Sequence, residues 1–270
     1  MDKNNEVEKL NKFSISSINL KIIVQKFRDL TLVDLDDDIR LVIACDSNAS
    51  NGEKINDFKK NKYEESTVSV IKVPIMEVLA SGATPFVLID NLCMEMEPTG
   101  KRIIAIIKAE LARSLPDLSI AITGSTEDNF PTTQSGFGIT VIGILNPERN
   151  RLGTSEKGDS VYCVGYPQSG IDKPYYENTY SVCGIDTVYA LSKMSEIHEI
   201  LPVGSKGVLY EANQLAFFSG NQFILEGKPE IDENTSAGSS TAVLITAKNI
   251  DELELSQVIG KPITKIGSLK

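Results

Sequence analysis

The sequence predicts an α+β fold in two halves, and three observations carry that prediction. Short β-type runs alternate with stretches of helical spacing, in the order strand, strand, helix, strand, helix, strand, strand. A polar, glycine-containing segment, NPERNRLGTSEKG, then interrupts the apolar pattern and reads as a domain junction. Beyond it, strand-like and helix-like segments alternate again without an internal sequence repeat. With 270 residues, 41% of them hydrophobic, the chain can enclose a core in each of two modest domains. The expected division is an arm over 1–28, one domain over 29–150 and a C-terminal α/β domain over 151–270.

Residues 1–28 mix Asn, Lys and Ser with a weak apolar stripe at Ile15, Ile18 and Ile22, which suggests a loose lead into a short helix. LTLVDL and IRLVIAC, separated by acidic DDD, read as a hairpin-like strand pair, the second strand delivering Asp46 to its end. A polar loop follows, and then Val68, Ile71, Ile75 and Leu79 fall at helical spacing over 66–83. Pro74 inside that pattern predicts a kink or a late start, and Gly82 a stop. FVLIDNLC reads as a buried strand, and PTGKRIIAIIKAELARSLP as an amphipathic helix with Thr99 near its start and Pro116 closing it. LSIAIT and FGITVIGIL are two further strands around the loop GSTEDNFPTTQS.

In the second half SVYCVGYP reads as a strand, and a helical stretch is expected from about Tyr180 to Ile200. VGSKG opens a helix carrying Val208, Leu209, Ala212, Leu215 and Ala216, SSTAVLITA is a strand, and IDELELSQVI a late helix.

Composition excludes several classes of partner and compartment. A net charge of -10, with no face gathering Lys and Arg, repels a nucleic-acid backbone. It still permits ATP, because Mg²⁺ bridges carboxylates to phosphates. The four cysteines, Cys45, Cys93, Cys163 and Cys183, show no CxxC spacing and read as thiols of a reducing compartment. The start is polar and acidic, unlike a signal peptide, and no apolar run approaches a membrane span, so a cytoplasmic protein is expected.

Familiar catalytic routes are poorly served. Neither a Walker-type phosphate loop nor GxGxxG after a strand occurs. His198, the only histidine, sits in SEIHEI near an expected helix end, so a histidine-assisted nucleophile or a zinc site has little to build on. What remains is carboxylates and hydroxyls at strand ends. Asp46, with Ser47, Gly52, Lys54 and Asp57, offers hard oxygen ligands and one cation, which suits Mg²⁺-phosphate as well as an ordinary solvated loop. Glu77 stands among Ile75, Val78 and Leu79, where a carboxylate either snorkels to water or meets a partner such as a metal. Asp90 and Asn91 interrupt a buried run and raise the same question. Gly124, Ser125, Thr126, Glu127 and Asp128 follow a strand, where small residues admit a phosphate and oxygens offer ligands, although such a turn is also common loop chemistry. Lys206 lies between glycines at a helix start, a place that favours an anion.

In order, these pieces resemble the aminoimidazole ribonucleotide synthetase-like (PurM-like) superfamily, which includes thiamine-monophosphate kinase, selenophosphate synthetase and a hydrogenase-maturation dehydratase. CDSNASNGEK resembles its aspartate-ended first strand and following loop; EVLASGATP resembles its acidic A-x-G-A-x-P helix, with Glu77 where aspartate is usual. TGST resembles its GG-[DE]-T loop with Ser125 at the acidic position, so that carboxylate moves to Glu127 or Asp128; GDSVYCVG, with Asp159, resembles the opening of its second domain. VGSKG departs from the D-x-S-D-G of thiamine-monophosphate kinases, Lys206 replacing an acidic ligand. The combination with EMEPTG, TGSTEDNF and PVGSKG is most similar to the α-ribazole kinase branch.

The resemblance implies a homodimer whose N-terminal strands form a shared β-barrel, with ATP in a cleft and Mg²⁺ held by carboxylates. It implies metal ligands among Asp46, Glu77, Glu127 and Asp128, nucleotide contacts from Asp57, Asn91, Gly124, Ser125 and Thr126, and charge neutralisation by Lys54 and Lys206. Expected activities are phosphorylation of α-ribazole, thiamine-phosphate phosphorylation, or an ATP-driven ring closure or dehydration; the altered loops also allow a non-catalytic nucleotide-binding partner.

Overall fold

The computed structural model describes residues 9–15, 20–36, 38–169, 180–227, 231–232 and 234–270. The chain divides into two compact units, Met1–Ala112 with Pro116–Asn150, and Arg113–Leu115 with Arg151–Lys270. Among the described residues no helix is long and apolar enough to cross a membrane.

The first unit contains β1 (Lys9–Ile15), β2 (Leu20–Phe27), β3 (Leu30–Asp34), β4 (Arg40–Ala49), the two-residue strands β5 (Asn51–Gly52) and β6 (Lys59–Lys60), and α1 (Tyr63–Ala80). It continues with β7 (Thr84–Leu92), α2 (Lys101–Ser114), β8 (Ala121–Thr126) and β9 (Gly136–Leu145). Seven strands form one sheet in the order β1-β2-β3-β4-β9-β7-β8. Neighbours are antiparallel except β7 and β8, which α2 connects as a parallel crossover. Alternate residues of β9, namely Phe137, Ile139, Val141 and Leu145, are buried. The face they share carries α1, because the missing Cβ of Gly143 would lie 2.4 Å from Val78.

Three expectations change here. The lead into a helix is instead a strand pair, with Phe13 opposite Ile22 in β1–β2 and Val24 opposite Val33 in β2–β3. The run Ile22-Ile23-Val24 is β-branched, and β3 offers it a ladder, so β propensity overrides the weak three-residue helical stripe. Residues 1–8 and Ile18 of the expected arm lie outside the described residues. Asp46 does not end its strand, since β4 runs on to Ala49 and pairs with β9 along its whole length. Gly124, Ser125 and Thr126 likewise close β8 instead of opening a loop. Helix α1 begins at Tyr63 and passes through the buried Pro74, and Gly82 takes φ +88° just past its end, as its position suggested.

The second unit contains β10 (Ser160–Val164), α3 (Ile185–Leu191), β11 (Glu199–Pro202), α4 (Val208–Phe218), β12 (Phe223–Leu225), β13 (Val243–Ala247), α5 (Glu252–Ile259) and β14 (Ile263–Leu269). Its sheet order is β11-β13-β10-β14-β12, and every pairing is antiparallel, so the unit is α+β despite its alternating elements. Val208, Ala212, Leu215 and Ala216 of α4 pack in its core with Val161, Cys163 and Leu244. The long helix expected to Ile200 is only α3, which Ser192 ends. Residues Glu199–Pro202 are all buried and pair with β13, a position that a helix could not fill. The strands β12 and β14 had no counterpart in the sequence reading.

Candidate functional site

Neighbouring strands place four residues in one cross-strand row, Asp46 (β4), Ile139 (β9), Asp90 (β7) and Gly124 (β8). Directly opposed residues share a face, so both carboxylates point to the helix-covered side where Ile139 is buried. One strand separates them, which places their backbones about 10 Å apart. Burial raises the pKa of Asp46, a backbone N–H at Ser47 offsetting part of the effect. Burial likewise raises Asp90, against a backbone N–H and the charge of Lys108.

Asp90 is 3% exposed, and its Oδ2 has no hydrogen-bond partner. It lines a cavity of about 230 Å³ with Leu92, Ile104, Lys108, Ile122 and Gly124. Ile104 and Lys108 stand one turn apart on α2, so an apolar wall and an ammonium face the same space. Glycine is required at 124, because a Cβ there would lie 1.6 Å from Asp90 Oδ1. Met96, Thr123, Ser125 and Thr126 complete the lining along β8 and the loop beyond β7.

The loops beyond the strand ends are held by hydrogen bonds. Lys54 Nζ donates to Glu95 Oε2 (2.6 Å) and to the Thr132 carbonyl (3.1 Å), and Thr99 Oγ1 donates to the other oxygen of Glu95. Burial opposes the Glu95 charge, yet the Lys54 and Thr99 hydrogen bonds outweigh it and pull the pKa down to about 2. Asp57 accepts from Lys54 N (2.8 Å), Ser135 N (2.6 Å) and Ser135 Oγ (2.7 Å), so its carboxylate ties two loops together. Asp128 accepts from Met96 N (2.8 Å) and Thr126 Oγ1 (2.7 Å), and the Met96 N–H followed by that hydroxyl lowers its pKa. Glu127 accepts from Asn129 N (2.8 Å).

A second row, Ser47, Gly138, Asn91 and Ser125, crosses the opposite face of the same strands. The side chains of Ser47, Asn91 and Ser125 are exposed. Glu77 is half-buried on α1. Lys206 belongs to the second unit, where its exposed ammonium lies 4.3 Å from the Tyr210 ring centroid and 3.1 Å from the hydroxyl.

Asp46 and the strand end 124–126 therefore fall in one sheet with β9 and β7 between their strands, while Asp57 and Asp128 are engaged by neighbouring protein groups. Asp46, Glu77, Glu127 and Asp128 do not draw three ligand atoms within 4.8 Å of one another; among the described residues only Glu156, Asp159 and His198 do so. Sequence reasoning missed Lys108, Ile104 and Glu95. The stripe Ile103, Ile107 and Leu111 marks the buried face of α2, and Lys108 flanks it, but only the parallel crossover shows that it meets Asp90.

This architecture is the two-domain PurM-like fold, the fold shared by aminoimidazole ribonucleotide synthetase and its relatives. Thiamine-monophosphate kinase from Aquifex aeolicus is similar with a TM-score of 0.61 at 18% identity, over 91% of this chain and 89% of that one. The enzyme of the same name from Stenotrophomonas maltophilia K279a gives 0.60 at 14%, over 89% and 86%. The hydrogenase maturation protein HypE in complex with ATP gives 0.58 at 14%, over 84% and 76%. No family model matches the sequence, and no curated protein does either.

Proposed function

We propose that this chain is an ATP- and Mg²⁺-dependent kinase that transfers a phosphoryl group to a hydroxyl of a small molecule, with α-ribazole as the acceptor. The observation that carries this reading is the row Asp46–Ile139–Asp90–Gly124 beside the cavity. A buried carboxylate oxygen without a partner is costly, and a cation or a ligand donor at Asp90 Oδ2 removes that cost. Neighbours of the same fold support a nucleotide, since one is an ATP complex and two are named as kinases.

Bound Mg²⁺ would supply charge neutralisation for the triphosphate, and Asp46, Glu77 and a carboxylate from Asp90, Glu127 or Asp128 would hold it. Mg²⁺ keeps several waters, so carboxylates spaced more widely than a tight metal cage still suit it. Gly124, Ser125 and Thr126 admit close approach to β8, Asn91 and Ser47 offer polar contacts on the other face, and Lys108 adds a positive charge. Asp57 serves by fixing the loop that presents Lys54. Lys206 would neutralise charge on the acceptor side. Phosphoryl transfer asks mainly for positioning and electrostatics, which these groups supply in kind. The same proposal includes a cytoplasmic homodimer joined through the open face of the first sheet, where Ile144 is 45% exposed.

Incubation of the purified chain with ATP, Mg²⁺ and a panel of α-ribazole, thiamine phosphate and other nucleosides, read by mass, tests the assignment. A phosphorylated α-ribazole is expected, and Lys206→Ala should slow its formation by at least about tenfold. ADP and free phosphate released with an unphosphorylated product would favour the synthetase or dehydratase reading. ATP binding without turnover on any acceptor would favour a non-catalytic partner.

A further inference from the structure

The turn before β10 and the residue before β11 bring three potential metal ligands together in the second unit. Glu156, Asp159 and His198 each present an atom within 4.8 Å of the other two. Asp159 is 0% exposed. Its Oδ2 accepts from Glu156 N (2.8 Å) and lies 2.8 Å from His198 Nδ1, while its Oδ1 is buried with no hydrogen-bond partner.

The backbone on both sides is fixed. Leu269 N donates to the Asp159 carbonyl (2.8 Å), and His198 N donates to the Thr246 carbonyl (2.8 Å). Thr154 Oγ1 holds the His198 carbonyl (2.7 Å). Asp159 and His198 therefore stand on fixed backbone, with the orphan oxygen of Asp159 buried. One cation already stands nearby, because Lys248 Nζ bonds Glu156 and its charge also reaches Asp159.

We infer that Glu156, Asp159 and His198 form a binding site for one divalent transition-metal ion of the zinc or cobalt kind, independent of the nucleotide site. One imidazole nitrogen with two carboxylates suits these ions, whereas Mg²⁺ and Ca²⁺ favour oxygen alone. An ion there satisfies the buried Asp159 oxygen and clamps β10 to β11, which flank β13. Lys248 competes for Glu156, and this lowers the affinity of the site.

The test uses the full chain without an affinity tag, because His198 is the only histidine and its imidazole NMR signals report on this place alone. Stoichiometric Zn²⁺ or Co²⁺ should shift or broaden those signals, and Mg²⁺ should not. Glu156→Gln, at an exposed position that leaves the fold intact, should weaken the Zn²⁺ response by about tenfold or more. Lys248→Gln should strengthen it. Imidazole signals that ignore Zn²⁺, or that respond with equal affinity in Glu156→Gln, would overturn the inference.

Discussion

Asp90 and Glu95 lie close in sequence and are opposite cases in electrostatics. Burial raises Asp90, so its folded form prefers the proton. The resulting penalty is absent below the ordinary value of 3.8 and grows as pH rises through the folded value. Asp90→Asn should therefore stabilise the fold at neutral pH by on the order of 1 kcal/mol, with the gain vanishing in acid; chemical denaturation at pH 7 and pH 3 measures it. Glu95 behaves in reverse, because its pKa falls from 4.5 to about 2. Its contribution is complete above pH 4.5 and disappears as pH drops toward 2. Glu95→Gln should cost roughly 1 kcal/mol at pH 7, screened by partial exposure, and progressively less as pH falls through about 2. Gly124→Ala should cost about 1–3 kcal/mol, since its methyl would strike Asp90, and the thermal midpoint should partly recover when Asp90→Ala is added. The sequence made Asp46 and Asp90 conspicuous as charges in apolar runs. It did not reveal that they share a row, because register between β4, β9 and β7 is a long-range property.

Elements with one dominant signal were legible, and those with mixed signals were not. Strand β7 carries the apolar run Phe86–Ile89, and α2 carries Ile103, Ile107 and Leu111 at helical spacing, so both were plain. Strand β2 holds lysines among its isoleucines, and only the neighbouring β3 decides its state. His198 was read as a helix residue because SEIHEI is charged and helix-compatible, yet burial of Glu199 with Ser155 makes that segment a strand entry. Glu199 accepts from Gly153 N, Ser155 N and Ser155 Oγ, which satisfies a carboxylate that composition alone would place at the surface. Sheet position also sets local stability. Strand β9 lies between β4 and β7, whereas β8 is an edge. Amide hydrogen exchange should be slowest in β9 and markedly faster in β8, and equal protection of the two would contradict this layout.

At the scale of the whole molecule, the two-domain PurM-like fold was readable from the order of motifs, because EVLASGATP, TGST and GDSVYCVG occur in sequence along the chain. Each unit carries its own desolvated acidic group, Asp90 in the first and Asp159 in the second, with one orphan oxygen apiece. Such groups are costly for folding alone, and the two proposed sites are built on them. The most direct measurement is a calorimetric titration of ATP into wild type and Asp46→Asn, with and without Mg²⁺. Wild type should bind ATP in a strictly Mg²⁺-dependent manner, and the well-folded variant should lose that dependence with a loss of affinity of at least about tenfold. Equal Mg²⁺-dependent binding by both proteins would contradict a metal held at Asp46.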